Sequence, residues 1–415
     1  MTGFFANEYI FRDPAVAKRV RCLRINPNFT QDFVQAWEKR NGENSWKTGL
    51  NVVMKHIREP PFTSKVSGAE AVPKYSSSQQ TLIAAVVEAV SYLSNVVHCD
   101  VTWVDPATVQ HLNPFIPVAW STFGSNLRKL TLGGDLDGLR LLASSSTHFV
   151  SLQELELEFM HNVVRMHDTS DLACLVDVLA PFVNGLSPRL RHLSITSWAS
   201  LELSSFFQKL TFFPILQQLT IRISFNKAFP HDHSGLTRLL HDQSHTLKCV
   251  TLRFNPSGWM SFSSTEDSLV RWMEEAASDT SVLTDLQTLH IYPTMMPAGF
   301  EAFLVYLKRS ANTLTSLIVR ERYLSYDEVD SVVTTFLHRP PESRLKYLRL
   351  NVRILSVRVM DLLAEKVPML ERLALIVGKG WTEERAGAAL STPVRPFIFE
   401  FLEIFMVLYT GQPSI

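Results

Sequence analysis

The feature that most constrains this chain is a short apolar pattern, L-x-x-L-x-L, which recurs along it. In the copy that spans Leu345–Asn351 (LKYLRLN), Leu348 and Leu350 alternate with polar residues, and Leu345 precedes them by one step of the pattern. Alternation with a period of two predicts a β-strand with one buried and one exposed face. We call each copy a leucine frame and name it by its first residue.

Nine such frames follow one another, with starts 25 to 39 residues apart. Two weaker frames precede them, at Val20 and Val96, and a last copy begins at Phe399. The nine frames are Leu127/Leu130/Leu132, Leu152/Leu155/Leu157, Leu190/Leu193/Ile195, Leu216/Leu219/Ile221, Leu247/Val250/Leu252, Leu286/Leu289/Ile291, Leu314/Leu317/Val319, Leu345/Leu348/Leu350 and Leu370/Leu373/Leu375.

Segments of about three helical turns lie between the frames, for example TEDSLVRWMEEAA and SYDEVDSVVTTFLH. Several begin with Ser, Thr or Asp close to an acidic residue, which is typical of a helix N-terminus. Repeated strand–helix units at this spacing predict an α/β fold, a leucine-rich-repeat solenoid or horseshoe with parallel strands on the concave face and helices on the convex face. Burying three aliphatic side chains per frame contributes about 5–9 kcal/mol, available only when units stack.

The predicted domain organisation follows from the positions of the frames. Residues 1–58 form a first repeat or cap, and residues 59–79, rich in Pro, Ser and Gly, form a loop or disordered insertion. Residues 80–415 form a leucine-rich-repeat solenoid continuous with the first repeat.

Charge and cysteine usage narrow the function classes. Lys plus Arg and Asp plus Glu both number 40, so net charge gives no drive toward nucleic acid or an anionic membrane. The four cysteines are scattered and the N-terminus lacks a signal-peptide pattern, which favours a cytoplasmic or nuclear location. The apolar runs at 82–97 and 397–409 are too short or too charged to span a bilayer.

The residues that alternate with the frame leucines are the candidate binding residues, because they face the predicted concave surface. They predict a groove that is acidic toward the first half of the chain and basic and aromatic toward the second. Arg and Tyr are also enriched at the energetic centres of protein interfaces. The protein-binding candidates are Glu154, Glu156, Glu158, Arg222, Arg253, His290, Tyr292, Arg320, Tyr347, Arg349 and Arg372.

The alternative is that these are ordinary polar residues on a solvated face, with Glu and Arg neutralising one another. A histidine group at His231, His233, His241 and His245 has an i, i+4 pair that zinc could use, but its spacing fits no named motif. We interpret it as a polar loop followed by a solvent-facing helix. We therefore predict no metal or cofactor site.

Motifs that would indicate an enzyme are missing from the sequence. It contains no G-x-x-x-x-G-K-[ST], G-x-G-x-x-G, H-E-x-x-H or G-x-S-x-G. No spacing of His, Ser and Asp assigns a nucleophile and its base. We expect a binding protein without catalytic residues.

The irregular repeats, the helical segments and the opening DPAVAKRVRCLRIN followed by further frames resemble the leucine-rich-repeat portion of F-box proteins, in particular fungal F-box-like proteins. The Leu-Pro-led F-box motif itself is not found in the residues before Val20. The resemblance implies a substrate-receptor role in ubiquitin ligation, with a protein partner on the concave face, and a Skp-type adaptor as a second partner if an F-box lies outside this chain. The alternative is a stand-alone leucine-rich-repeat scaffold or enzyme regulator unconnected with ubiquitin ligation. An RNA- or phospholipid-associated role is disfavoured by the zero net charge.

Overall fold

A computed structural model describes residues 13–25, 84, 86–102, 114–144, 149–160, 169–197, 201–254, 267–279, 282–337, 344–379 and 401–406. These residues fall into two compact units, Met1–Val164 and Arg165–Ile415. The predicted insertion at 59–79 lies outside the described residues. The division at residue 164 was not predicted from the frames, which continue on both sides of it.

The first unit contains a parallel sheet whose strands pair in chain order. Its strands are β1 (Cys22–Ile25), β2 (His98–Thr102), β3 (Lys129–Gly134) and β4 (Glu154–Phe159). Its helices are α1 (Pro14–Ala17), α2 (Phe115–Phe123) and α3 (Leu136–Ser144), with a 3-10 turn at Gly124–Asn126 and a further helical stretch at residues 86–91.

The second unit contains a longer parallel sheet, also paired in chain order. Its strands are β5 (His192–Ser197), β6 (Gln218–Arg222), β7 (Cys249–Arg253), β8 (Thr288–Ile291), β9 (Ser316–Leu324), β10 (Tyr347–Ile354), β11 (Arg372–Lys379) and β12 (Phe401–Met406). Its helices are α4 (Thr169–Ala173), α5 (Ala180–Gly185), α6 (Ser204–Lys209), α7 (Phe225–Ala228), α8 (Ser234–Asp242), α9 (Asp267–Ser278), α10 (Pro297–Ser310), α11 (Tyr326–Thr334) and α12 (Val357–Lys366), and a π-helical segment, Cys174–Leu179, joins α4 to α5.

The leucine frames form the core of both units. In the nine regular frames every apolar residue is at most 4% exposed, and the weaker frame at Val96 is equally buried. The first frame is less well covered, since Val20 and Ile25 are only half-buried. Helices of neighbouring repeats in the second unit pack against one another, for example α9 against α10 and α11 against α12, and α11 contacts both β9 and β10. The predicted α/β solenoid of parallel strands and helices is therefore confirmed within each unit.

The face of the sheet that carries the residues alternating with the frame leucines is called the open face below. In β4 this alternation is complete, with three half-buried glutamates between buried apolar residues. In β9 the alternation breaks. A step of two residues on β10, from Arg349 to Asn351, corresponds to a step of five residues on β9, from Ile318 to Tyr323. Three extra residues therefore bulge out of β9 at this point.

The bulge is fixed on the helix side by Arg322, which is 5% exposed. Its guanidinium donates to the carbonyl oxygen of Thr294 at 2.8 Å and to the carboxylate of Glu328. Glu328 also completes the N-terminal cap of α11 with Ser325, because each side chain bonds the other's backbone N–H. Burial raises the pKa of Glu328, but the hydrogen bonds from Arg322 and from the Ser325 backbone outweigh it and hold the pKa below its usual value.

No helix among the described residues is long and apolar enough to cross a bilayer.

Candidate functional site

The second unit brings four arginines together on the open face, and these are called the arginine cluster: Arg222, Arg253, Arg320 and Arg349. Arg222 and Arg253 are in register on β6 and β7. A second row of paired residues crosses β8, β9 and β10. In this row His290 pairs with Ile318, and Ile318 pairs with Arg349. Adjacent strands lie about 4.8 Å apart, and each of the four arginines lies on a strand no more than two strands from His290 on β8.

His290 lies among the four arginines and is uncharged. Burial lowers its pKa, and the positive charges of Arg320, Arg222, Arg253 and Arg349 lower it further, to about 3. The Nε2 atom of His290 is buried and has no hydrogen-bond partner among the described residues. A neutral imidazole carries one N–H donor and one acceptor, so His290 supplies a polar contact without adding charge.

Two arginines of the cluster also hold buried donors without a partner. The Nε atoms of Arg320 and Arg349 are inaccessible to solvent and make no hydrogen bond with any described residue. Burial lowers the pKa of Arg320, and the charges of Arg349 and Arg253 lower it further, against the opposing effects of Glu321 and Tyr347. A buried donor without a partner costs about 1–3 kcal/mol, so the cluster carries hydrogen-bonding capacity that the fold itself does not use.

Glu321 is the carboxylate that enters this cluster. It lies within the bulge of β9, and its backbone is left-handed, with a φ of 68°. One carboxylate oxygen accepts a hydrogen bond from the Nε of Arg253, and the other is buried without a partner. This one carboxylate neutralises only one of the four guanidinium charges, and the imidazole of His290 is neutral. The named groups together therefore remain strongly positive.

The remaining predicted residues of the second unit take different positions. Tyr347 on β10 is in register with Arg372 on β11, so an aromatic ring and a cation occupy neighbouring positions there. Arg372 is exposed. Tyr292 is only 4% exposed, so it does not provide the exposed aromatic ring that the sequence pattern predicted. It lies just past the last residue of β8, where strand alternation no longer determines the direction of a side chain.

The predicted acidic residues, Glu154, Glu156 and Glu158, lie on β4 in the first unit. Lys129 on β3 approaches Glu154 at 3.9 Å and Glu156 at 4.0 Å, and Thr131 donates to Glu156 at 3.3 Å. This acidic row is therefore partly neutralised inside its own unit. A groove with opposite charges in its two halves stays a prediction.

Two members of the histidine group, His233 and His241, contact carboxylates outside α8. His233 lies 3.5 Å from Glu275, and His241 lies 3.9 Å from Asp279. These side chains line an open cavity of about 430 Å³ that also borders Arg238. Among the described residues no group of three or more His, Cys, Asp or Glu side chains is arranged to hold a metal ion.

Sequence reasoning missed Glu321. Alternation along β9 assigns residue 321 to the same side as the buried Leu317 and Val319, and only the bulge turns it toward the arginine cluster. A positive φ at a glutamate has no clear sequence signal, because Gly and Asn are the residues that usually mark it.

Comparisons with known proteins identify no family for this chain. No family model matches it, and no curated protein matches it. Among solved structures, it is similar to the crystal structure of the Rad7 and Elc1 complex in yeast, with 14% sequence identity, a TM-score of 0.35, and coverage of 90% of this chain and 96% of that chain. A similarity at this level carries no argument about function.

Proposed function

We propose that this chain is a protein-binding leucine-rich-repeat module that holds its partner on the open face of the second unit. The observation that carries this proposal is the pair of buried, unpartnered Nε donors on Arg320 and Arg349 beside the neutral His290. Folding alone gives no reason to bury such donors beside like charges. A partner that supplies acceptor atoms and negative charge accounts for both.

The partner surface implied by this geometry is acidic. Arginine binds carboxylates and other oxyanions through a fork of donors, and desolvated pairs of this kind dominate the affinity of many interfaces. We propose binding rather than catalysis, since the named residues of the cluster include no Ser, Thr or Cys nucleophile for His290 to activate. Arg372 and Tyr347 extend the same surface toward β11.

The finer proposal is that the chain acts as a substrate receptor related to F-box proteins. It rests on the resemblance of the repeats and of the opening segment, and it adds a Skp-type adaptor as a second partner if an F-box lies outside this chain. A stand-alone scaffold or enzyme regulator uses the same open face without that adaptor. Co-purification of the full chain with a Skp-type adaptor separates these two functions.

The test of the binding surface is affinity capture from a lysate of the protein's own source cells. The full chain is compared with Arg320→Glu/Arg349→Glu and with a control, Arg271→Glu/Arg358→Glu, whose arginines are exposed on α9 and α12. Both variants change the net charge equally. We expect the first variant to lose the partners that the control retains, and equal capture by both would overturn the proposal.

A further inference from the structure

We infer that Cys22, together with His98, is a thiol-exchange site that forms a mixed disulfide with an anionic low-molecular-weight disulfide of the glutathione class. The site lies in the first unit, so it is separate from the binding surface proposed for the second unit and goes beyond the proposed function. Three features support it: the contact between the two side chains, the charge around them and the burial of the other cysteines.

Cys22 and His98 face each other across the first two strands of the sheet. They are paired in the register of β1 and β2, and the residues that follow them, Leu23 and Cys99, are buried. Alternation therefore places both side chains on the open face of the first unit. The Sγ of Cys22 lies 3.5 Å from the Nδ1 of His98, which is a hydrogen-bond distance for a sulfur atom. An exposed thiol thus has a base in direct contact with it.

A thiol beside an imidazole is the pairing that activates cysteine nucleophiles. Imidazole titrates near neutral pH, so it can accept the proton that an isolated thiol keeps until about pH 8.5. On its other side His98 is in register with Lys129 on β3. The ammonium group of a lysine has no acceptor, so it does not compete with the thiol for an imidazole N–H.

The surroundings of Cys22 are basic. Exposed cations lie on both sides of it in the chain: Lys18, Arg19, Arg21 and Arg24. Asp100 pairs with Arg24 at 2.7 Å and neutralises that charge. The basic segment is held beside β2 by Asn95, whose side-chain amide donates to the carbonyl oxygen of Lys18 at 2.8 Å. Reactive cysteines are typical of accessible, electropositive surroundings, and an anionic disulfide is attracted to them.

The other three cysteines of the chain are protected by the core. Cys99 and Cys174 are buried, and Cys249 is half-buried. Burial raises the pKa of Cys99 far above its ordinary value, and the charge of Asp100 raises it further. Burial also raises the pKa of Cys249. A thiol that is buried in its protonated form neither attacks a disulfide nor is reached by one, so these cysteines are internal controls for Cys22.

The exchange needs no oxidant other than the incoming disulfide. His98 accepts the thiol proton of Cys22, the thiolate attacks one sulfur of the disulfide, and the S–S bond of that disulfide breaks as the new bond to Sγ forms. The leaving thiolate takes the proton from the imidazolium. One disulfide is consumed, one mixed disulfide and one small thiol are produced, and excess small thiol reverses the step.

The experiment mixes the full, reduced chain with glutathione disulfide and follows the adduct by mass spectrometry of the intact protein. We expect one adduct on the natural chain, one on Cys249→Ser and none on Cys22→Ser. Cystamine, a cationic disulfide, is the matched probe. When each rate is divided by that of a neutral small thiol, we expect glutathione disulfide to be favoured about threefold or more at low ionic strength and less at high salt.

Two further variants test the assisting groups. His98→Gln should slow the reaction about threefold or more at pH 7 and little at pH 9.5, because a thiol ionises without a base above about pH 8.5. His241→Gln, at an exposed position on α8, is its control. Lys18→Gln/Arg19→Gln should slow the reaction with glutathione disulfide but not with cystamine. Circular dichroism melting shows that each variant is folded.

An adduct that persists on Cys22→Ser, or that forms on the natural chain only after urea is added, would overturn the inference. Equal rates for His98→Gln and the natural chain at both pH values would also overturn it, because Cys22 would then be an exposed thiol without an activating base. Equal relative rates for the two disulfides would overturn the choice of an anionic reactant.

Discussion

Arg253 and Glu321 form an ion pair across the end of β8, the strand that lies between their own strands β7 and β9. Two features allow this. β8 ends at Ile291, and the bulge in β9 turns Glu321 toward the open face. The contact therefore depends on a backbone irregularity, and the stability of that irregularity can be tested.

The first prediction concerns the backbone at Glu321. A β-branched residue is strongly disfavoured at positive φ, whereas Asn tolerates it. Both Glu321→Val and Glu321→Asn remove the carboxylate, so they differ mainly in backbone strain. We expect Glu321→Val to lower the free energy of unfolding by about 1–3 kcal/mol more than Glu321→Asn, measured by urea denaturation. Equal loss would mean that the left-handed conformation is not required.

The second prediction is that the arginine cluster costs stability. Arg320 is partly buried, its Nε has no partner, and its neighbours Arg349 and Arg253 repel it. Arg320→Met keeps much of the volume and removes the charge. We expect unchanged or higher stability, by up to about 1 kcal/mol, together with loss of partner binding. Marked destabilisation would show that Arg320 serves the fold. Arg271→Met, at an exposed position on α9, is the control.

The third prediction concerns pH. The pKa of His290 is lowered to about 3 in the folded state by burial and by Arg320, Arg222, Arg253 and Arg349. In the unfolded chain its pKa returns to about 6.5. Between these values the unfolded state binds more protons, so stability falls as pH decreases from about 6.5 toward 3. A single proton changes the free energy of unfolding by at most about 1.4 kcal/mol per pH unit.

The variant His290→Gln has no titratable group at this position. We expect its stability to fall less between pH 6.5 and 4.5 than that of the natural chain, when both are measured by denaturation at each pH. His245→Gln is a suitable control, because His245 is exposed and lies away from the arginine cluster. Parallel pH profiles for the natural chain and His290→Gln would contradict the assignment.

The fourth prediction concerns the buried pair behind the bulge. Arg322 and Glu328 have side chains only 6% and 18% exposed. Arg322→Met leaves the carboxylate of Glu328 without its main partner, and we expect a loss of about 3–5 kcal/mol. The double variant Arg322→Met/Glu328→Met removes both charges and should lose less than Arg322→Met alone. A double variant at least as unstable as the single one would show that these two side chains stabilise the fold through contacts other than the neutralisation of each other's charge.

The sequence was sufficient to predict the strands and which residues of the candidate site share one face of the sheet. Burial of Leu317 and Val319 requires Arg320 to face the opposite side, and the same alternation placed Arg349 and His290 there. Alternation holds only while the strand continues, which is why it was wrong for the exposure of Tyr292 and could not anticipate Glu321. The depression of the pKa of His290 also depends on neighbours that are distant in sequence.

The bulge in β9 has a consequence for how this surface can diversify. Leu317 and Leu348 stay paired in the core while three additional residues are accommodated on β9 alone. The open-face residues of the bulge, such as Arg320, can therefore be exchanged without shifting the leucines of the neighbouring units, provided that Arg322 keeps its buried contacts. Laboratory selection for altered ligand preference would be best directed at this loop of backbone, where new recognition can be introduced while the scaffold is left untouched.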